Sequence, residues 1–256
     1  MTLAAQTSSK DRWEVLTWRF TVFIDSLSTS ISGEEEFLRY FGREHVEKTE
    51  NRADSTILFA VSDQVMRSQL EISPGKIDFA IHAAISFKPS EECTVTFSKI
   101  HDGSAIYEEF LASALNFVEE RSGISRIGIG AENVFLVKSH EEGYAALAEK
   151  MLDVKLDGTN SCDFLYQINR PREITIGDKP VRINRLVKFL CKKLGVAIET
   201  NSGENNEMNV YFASVSSDVN TDYRFRVEGL SPNERREITE KLFDYSIEIG
   251  LEGETK

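Results

Sequence analysis

The chain has 256 residues, 42 acidic against 30 basic, for a formal net charge of −12. Hydrophobic residues make up 41%, enough for a sizeable core and too apolar for a disordered chain, while the acidic balance disfavours nucleic acid and anionic membranes unless positive charge is gathered locally. No run approaches the roughly 20 apolar residues a membrane helix needs, and three widely spaced cysteines, Cys93, Cys162 and Cys191, argue against a disulfide framework or a C-x2-C zinc site.

Residues 1–10 are small and polar, lack the apolar region of a signal peptide, and read as a flexible tail on a cytoplasmic protein. Trp18, Phe20, Val22 and Ile24 alternate as one face of a strand, whereas Trp13 and Val15 alternate in the opposite phase. One extra residue near Leu16–Thr17 reconciles the two, because a bulge flips the faces. The charged stretch 34–54 reads as a loop with a short helix. Segments 55–62, 65–73 and 77–87 form an antiparallel meander, with Ser73-Pro74-Gly75-Lys76 as one turn.

Ile106, Phe110, Leu111, Leu115 and Val118 give a helical stripe, with Asp102 as the expected cap and Gly123 beyond its end. A strand follows over 126–137, and the Gly128-Ile129-Gly130 within it suggests a bulge rather than a dinucleotide loop. Ser139 and Glu142 form a capping box for a helix to about Leu152. Strands over 162–169 and from 181 are joined through 177–180, and residues 183–194 fit strand or helix spacing equally. Further strands are expected at 209–215 and 223–227. Ser231, Pro232 and Glu234 then start a capped helix.

The expected fold is α+β, mostly antiparallel sheet with two long helices, about 104–121 and 232–247. The order of sheet, helix, sheet, helix allows two similar β-then-helix halves, 11–122 and 123–250, within one compact unit. It lacks the strict alternation of a parallel nucleotide-binding fold. Two stretches, SRIGIGAENVFLV (125–137) and YRFRVEGLSPNERREITEKLFDYSIEI (223–249), give the chain a layout that resembles a sporadically distributed family of uncharacterised bacterial proteins. That resemblance implies a bacterial origin and the fold class, and carries no activity or catalytic residue.

The segment Asn169 to Lys193 stands out. It has eight basic residues against two acidic ones, with Ile-Asn-Arg at 168–170 and again at 183–185. Arginine presents a rigid fork suited to phosphate or carboxylate, and an adjacent asparagine adds donors. Asn169, Arg170, Arg172, Arg182, Asn184, Arg185 and Lys188 are therefore candidates for binding an anion or a partner. The competing reading is that these charges pair with acidic groups elsewhere in the fold. His82, in an apolar strand, reads as a satisfied core histidine. Asp63, Glu71 and Asp78, near Lys76, could hold a divalent cation for nuclease chemistry, although their spacing matches no familiar arrangement. No catalytic residue, metal site or cofactor is assigned.

The function expected is that of a non-enzymatic interaction protein, an adaptor, sensor or specificity subunit of a bacterial defence or toxin–immunity system. It would use the basic segment on another protein, with no membrane partner; homo-oligomerisation stays open. The alternatives are nucleic-acid binding through the same strip and a metal-dependent nuclease.

Overall fold

A computed structural model describes residues 13–25, 32–88, 94–152, 154–157, 163–199 and 205–254. The tail 1–10, Cys93 and Cys162 lie outside them. The first strand, β1 (Glu14–Ile24), is followed by a short helix, α1 (Gly33–Phe41), and then by β2 (Glu47–Asn51), β3 (Thr56–Ser62), β4 (Met66–Ser73) and β5 (Lys76–Ala83). A small hairpin, β6 (Ile85–Lys88) and β7 (Thr94–Phe97), leads to α2 (Ala105–Glu120), β8 (Ile124–Val137) and α3 (His140–Ala148). The chain closes with β9 (Leu165–Asn169), β10 (Arg172–Ile176), the long β11 (Lys179–Glu199) and β12 (Asn205–Thr221), and α4 (Pro232–Glu252).

Apart from the β6–β7 pair, all strands join one sheet in the order β10-β11-β12-β8-β1-β5-β4-β3-β2, with β9 also on β11. Every pairing is antiparallel. Strands from the two ends of the chain meet in the middle, where β8 lies between β1 and β12. β9 and β10 are collinear: Asn169 faces Leu186 and Arg172 faces Ile183 in a single register. Pro171 interrupts them because it has no N–H to give the ladder.

The register of β1 against β8 shifts between Val15 and Thr17, as the change of hydrophobic phase requires. Trp13 and Val15 therefore share the inner face with Trp18, Phe20 and Val22. All four helices cover that face. Trp18 packs on Tyr107 and Phe243, Phe79 stacks on Tyr40 with ring centroids 3.9 Å apart, and Tyr144 and Leu147 of α3 join the same core. A second small cluster, Val95, Val134, Val210 and Phe212, lies where the β6–β7 hairpin folds over one end of the outer face. Among the described residues no helix covers the rest of the outer face.

Local signals set most helix starts. Ser32, Ser104, Ser139 and Ser231 are the N-caps, and Ser231 with Glu234 completes a reciprocal capping box. Asp102 is not the cap of α2; the chain turns at Gly103 (φ 77°), and the Ser104 hydroxyl accepts from the Tyr107 N–H. At α3 the box is displaced, since Glu142 accepts from the N–H of Lys138 rather than of Ser139. Residues 183–194 are strand, paired along β12. The expected strand over 223–227 is instead a turn. The Asp222 side chain accepts from the Arg224 N–H and its carbonyl from the Phe225 N–H, a local closure that competes with sheet pairing.

Candidate interaction surface

The two sides of β11 decide the fate of the basic segment. Successive side chains of a strand point to opposite faces. Arg170 lies opposite Arg185, and both point inward with Arg172; Asn169, Arg182, Asn184 and Lys188 point outward. The seven candidates therefore divide into two groups on opposite faces of the sheet.

The inward group meets α4. Arg170 donates to Glu254 at 2.6 Å. Arg172 and Arg185 share Glu248 at 3.2 and 3.1 Å, and both guanidiniums lie over the Tyr245 ring. Arg185 is buried, and burial lowers its pKa, opposed by the neighbouring Glu248 carboxylate. These arginines bind acidic groups of their own chain and fasten the β9–β11 edge to the last helix. The acidic C-terminal helix and the basic strip are thus complementary parts of one fold.

The outward group joins a polar row across the sheet. The Asn169 amide donates to Asn184 at 3.3 Å, Asn184 to Asn220 at 3.2 Å, and Arg126 to the same Asn220 oxygen at 2.8 Å. Asn220 also donates to Asp218 at 2.9 Å, and Asp218 pairs with Arg19. Among the described residues Arg182 and Lys188 make no ion pair. Further pairs continue across the sheet: Lys192 with Glu132, and Lys76 with an Asp78 that also accepts from Thr21.

Gly128 and Gly130 sit in the middle of this face without a bulge at either position. A Cβ on Gly130 would lie 3.3 Å from both the Arg19 guanidinium and the Ser217 carbonyl oxygen. The glycines let Arg19 lie flat and leave a shallow trough of about 660 Å³ between β4, β5, β1, β8 and β12. No periodicity predicts this, because the approach comes from Arg19 and Ser217, on strands far away in sequence.

His82 lines the trough. It is on the outer face, half-buried, with Nδ1 3.1 Å from the Thr17 hydroxyl, and so is satisfied but outside the core. Burial, and then Arg67, hold its pKa below the ordinary 6.5. The unfolded chain thus binds this proton more tightly than the folded one. The neutral imidazole's contribution is complete above about pH 6.5 and is lost as pH falls below it. His82→Gln is expected to flatten the fall in melting temperature between about pH 7 and 5, measured in matched scans.

Of the three acidic nuclease candidates, Glu71 and Asp78 face each other across β4 and β5. Asp63 does not join them. It caps the turn at 63–66 and pairs with Arg43, contacts that lower its pKa, the Met66 N–H foremost. Among the described residues, no three His, Cys, Asp or Glu side chains gather as a metal group. None of their helices is long and apolar enough to cross a membrane. Cys191 faces α3, half-buried beside Gly143, and burial pushes its thiol pKa up, the opposite of what a reactive thiolate needs. Comparisons with family models, curated proteins and solved structures gave no match.

Proposed function

We propose that this protein works by binding, as an adaptor, sensor or specificity component that engages a protein partner through the outer face of its sheet. The observation that carries the reading is the polar row Asn169–Asn184–Asn220–Arg126, held open on a face that the helices do not cover. Interlocked amides and guanidiniums are pre-ordered donors and acceptors, so a partner that matches them loses little side-chain freedom on docking.

The charge pattern favours protein over nucleic acid. Lys192, Arg19 and Lys76 each lie against a carboxylate of the same face, so positive charge is interrupted across most of the sheet. Among the described residues it is left unpaired near the β10–β11 edge, at Arg182 and Lys188, a short strip for a phosphate backbone to follow. A protein surface of alternating charge suits this face better, and electrostatic complementarity would set register and specificity.

The test uses the outward residues alone, since the inward arginines hold the fold. Arg182→Glu with Lys188→Glu is compared with the parent in affinity capture from bacterial lysate, with and without nuclease. The expected result is a stoichiometric protein partner that survives nuclease and is lost by the variant, at unchanged melting temperature. Its identity would assign the system, a bacterial defence or toxin–immunity assembly being the expected setting. Capture of nucleic acid with steep salt dependence, abolished by the same variant, would replace this reading with nucleic-acid binding.

A further inference from the structure

Two strands outrun the rest of the sheet. β9 stops opposite Leu190 and β8 stops opposite Tyr211, whereas β11 and β12 stay paired out to Glu199 and Asn205. The outermost pairs, Leu194–Val210 through Glu199–Asn205, form a two-stranded ribbon about 20 Å long. Among the described residues no third strand lies beside it. A lone two-stranded hairpin is marginally stable in water, and a further strand stabilises it.

The ends of the sheet are closed to such pairing. β2, at one end, is exposed throughout but charged at Glu47, Lys48 and Glu50, and Glu47 is held by Arg67. At the other end Pro171 breaks the edge between β9 and β10. Charge and proline are the usual means by which an edge strand avoids unwanted partners. The β11 edge has neither between Leu194 and Ile198, where the sequence reads Leu-Gly-Val-Ala-Ile. An edge of that kind is a template for another strand.

The backbone fixes which groups are on offer, because alternate residues of a strand turn their N–H and C=O to opposite edges. The Arg182 carbonyl accepts from the Asp222 N–H, on the β12 side. The Arg185 carbonyl accepts from the Arg170 N–H, and the Arg185 N–H donates to the Asn169 side chain, on the β9 side. The register with β12 is unbroken from Ile183 to Glu199. Lys193, Gly195, Ala197 and Glu199 therefore present their backbone groups to the open edge.

We infer that a second copy of this chain pairs there, β11 edge against β11 edge, antiparallel about a two-fold axis at Val196. In this register Lys193 stands opposite Glu199 of the second copy, and Gly195 opposite its Ala197. All of these residues turn N–H and C=O toward the partner strand, as reciprocal antiparallel pairs require. Sliding one copy by two residues would keep the hydrogen bonds and lose both charge pairs, so the charges select the register. The contact is isologous and closes on itself, giving a dimer rather than a fibre. The inference concerns the edge of β11 and is independent of the partner surface on the outer face.

Sedimentation equilibrium of the full chain, from micromolar to millimolar concentration, reads the dimer. A monomer–dimer equilibrium is expected. Lys193→Glu and Glu199→Lys each set like charges opposite one another and should each weaken the dimer roughly tenfold or more, and the double variant should regain it. Ala197→Pro removes an N–H that points away from β12, so it should abolish the dimer at unchanged far-UV circular dichroism. A monomer at every concentration would overturn the inference. So would a dimer that survives Lys193→Glu or Ala197→Pro, which would place the interface elsewhere. A double variant no tighter than either single would overturn the register and the inference with it.

Discussion

Glu248→Ala is expected to lower the stability of the fold by roughly 3–5 kcal/mol, read as a shift in the urea midpoint at unchanged slope. Glu248 is the carboxylate shared by Arg172 and Arg185, and the Arg185 side chain is only 2% exposed. Removing it leaves two neighbouring guanidiniums to repel each other beside Tyr245, in surroundings that already depress the Arg185 pKa. Breaking one side of a buried pair is far more costly than replacing both sides with apolar groups. Glu248→Ala combined with Arg185→Met should therefore regain part of the loss, and the two substitutions should be strongly non-additive in a double-mutant cycle. A loss below about 1 kcal/mol for Glu248→Ala would show that α4 does not need these arginines, and would return them to the pool of binding residues.

Gly253→Ala is expected to cost about 2–4 kcal/mol. Gly253 ends α4 with φ 79° and ψ −134°, a conformation that residues with a Cβ rarely adopt. A methyl there would also overlap the Lys150 carbonyl oxygen and lie 2.9 Å from the Lys150 Cα, both fixed backbone atoms. The position is the centre of a clamp. Lys150 donates to the Gly250 and Leu251 carbonyls at 3.0 and 2.8 Å, satisfying the end of the helix where a cation is favourable. The next residue, Glu254, gives its N–H to the Lys150 carbonyl and its buried carboxylate to Arg170. Displacing Gly253 therefore loosens β9 and α4 together. Chemical denaturation and amide exchange over 249–254 measure it; a change within about 0.5 kcal/mol and undiminished protection would refute the clamp.

What could be read along the chain follows the range of the forces involved. The change of phase at Leu16 is visible because the pleat repeats every two residues, and the structure places the register shift there. The hairpin from β9 and β10 into β11 is visible because Gly177, Asp178 and Pro180 mark its turn. The Ser231–Glu234 box is a pattern four residues long. Where two local signals competed, the local sequence was not enough. Residues 183–194 fit both periods, and pairing with twelve residues of β12, Val210 to Thr221, made them strand. Tyr223 to Val227 alternate like a strand, but Asp222 had already closed a turn.

The site was less legible. The sequence by itself determined that a basic segment exists, with Ile-Asn-Arg twice within it, and that a capped helix follows from Ser231. Whether a given arginine faces α4 or solvent depends on which face of β11 the helices cover, and that is set by packing across the whole sheet. A register shift of one residue would exchange Arg185 with Asn184 and reverse both roles. The same holds for the outer end of β11. Leu194 to Ile198 read as an ordinary apolar strand. Only because β9 stops opposite Leu190 and β8 opposite Tyr211 does their edge lack a neighbouring strand among the described residues.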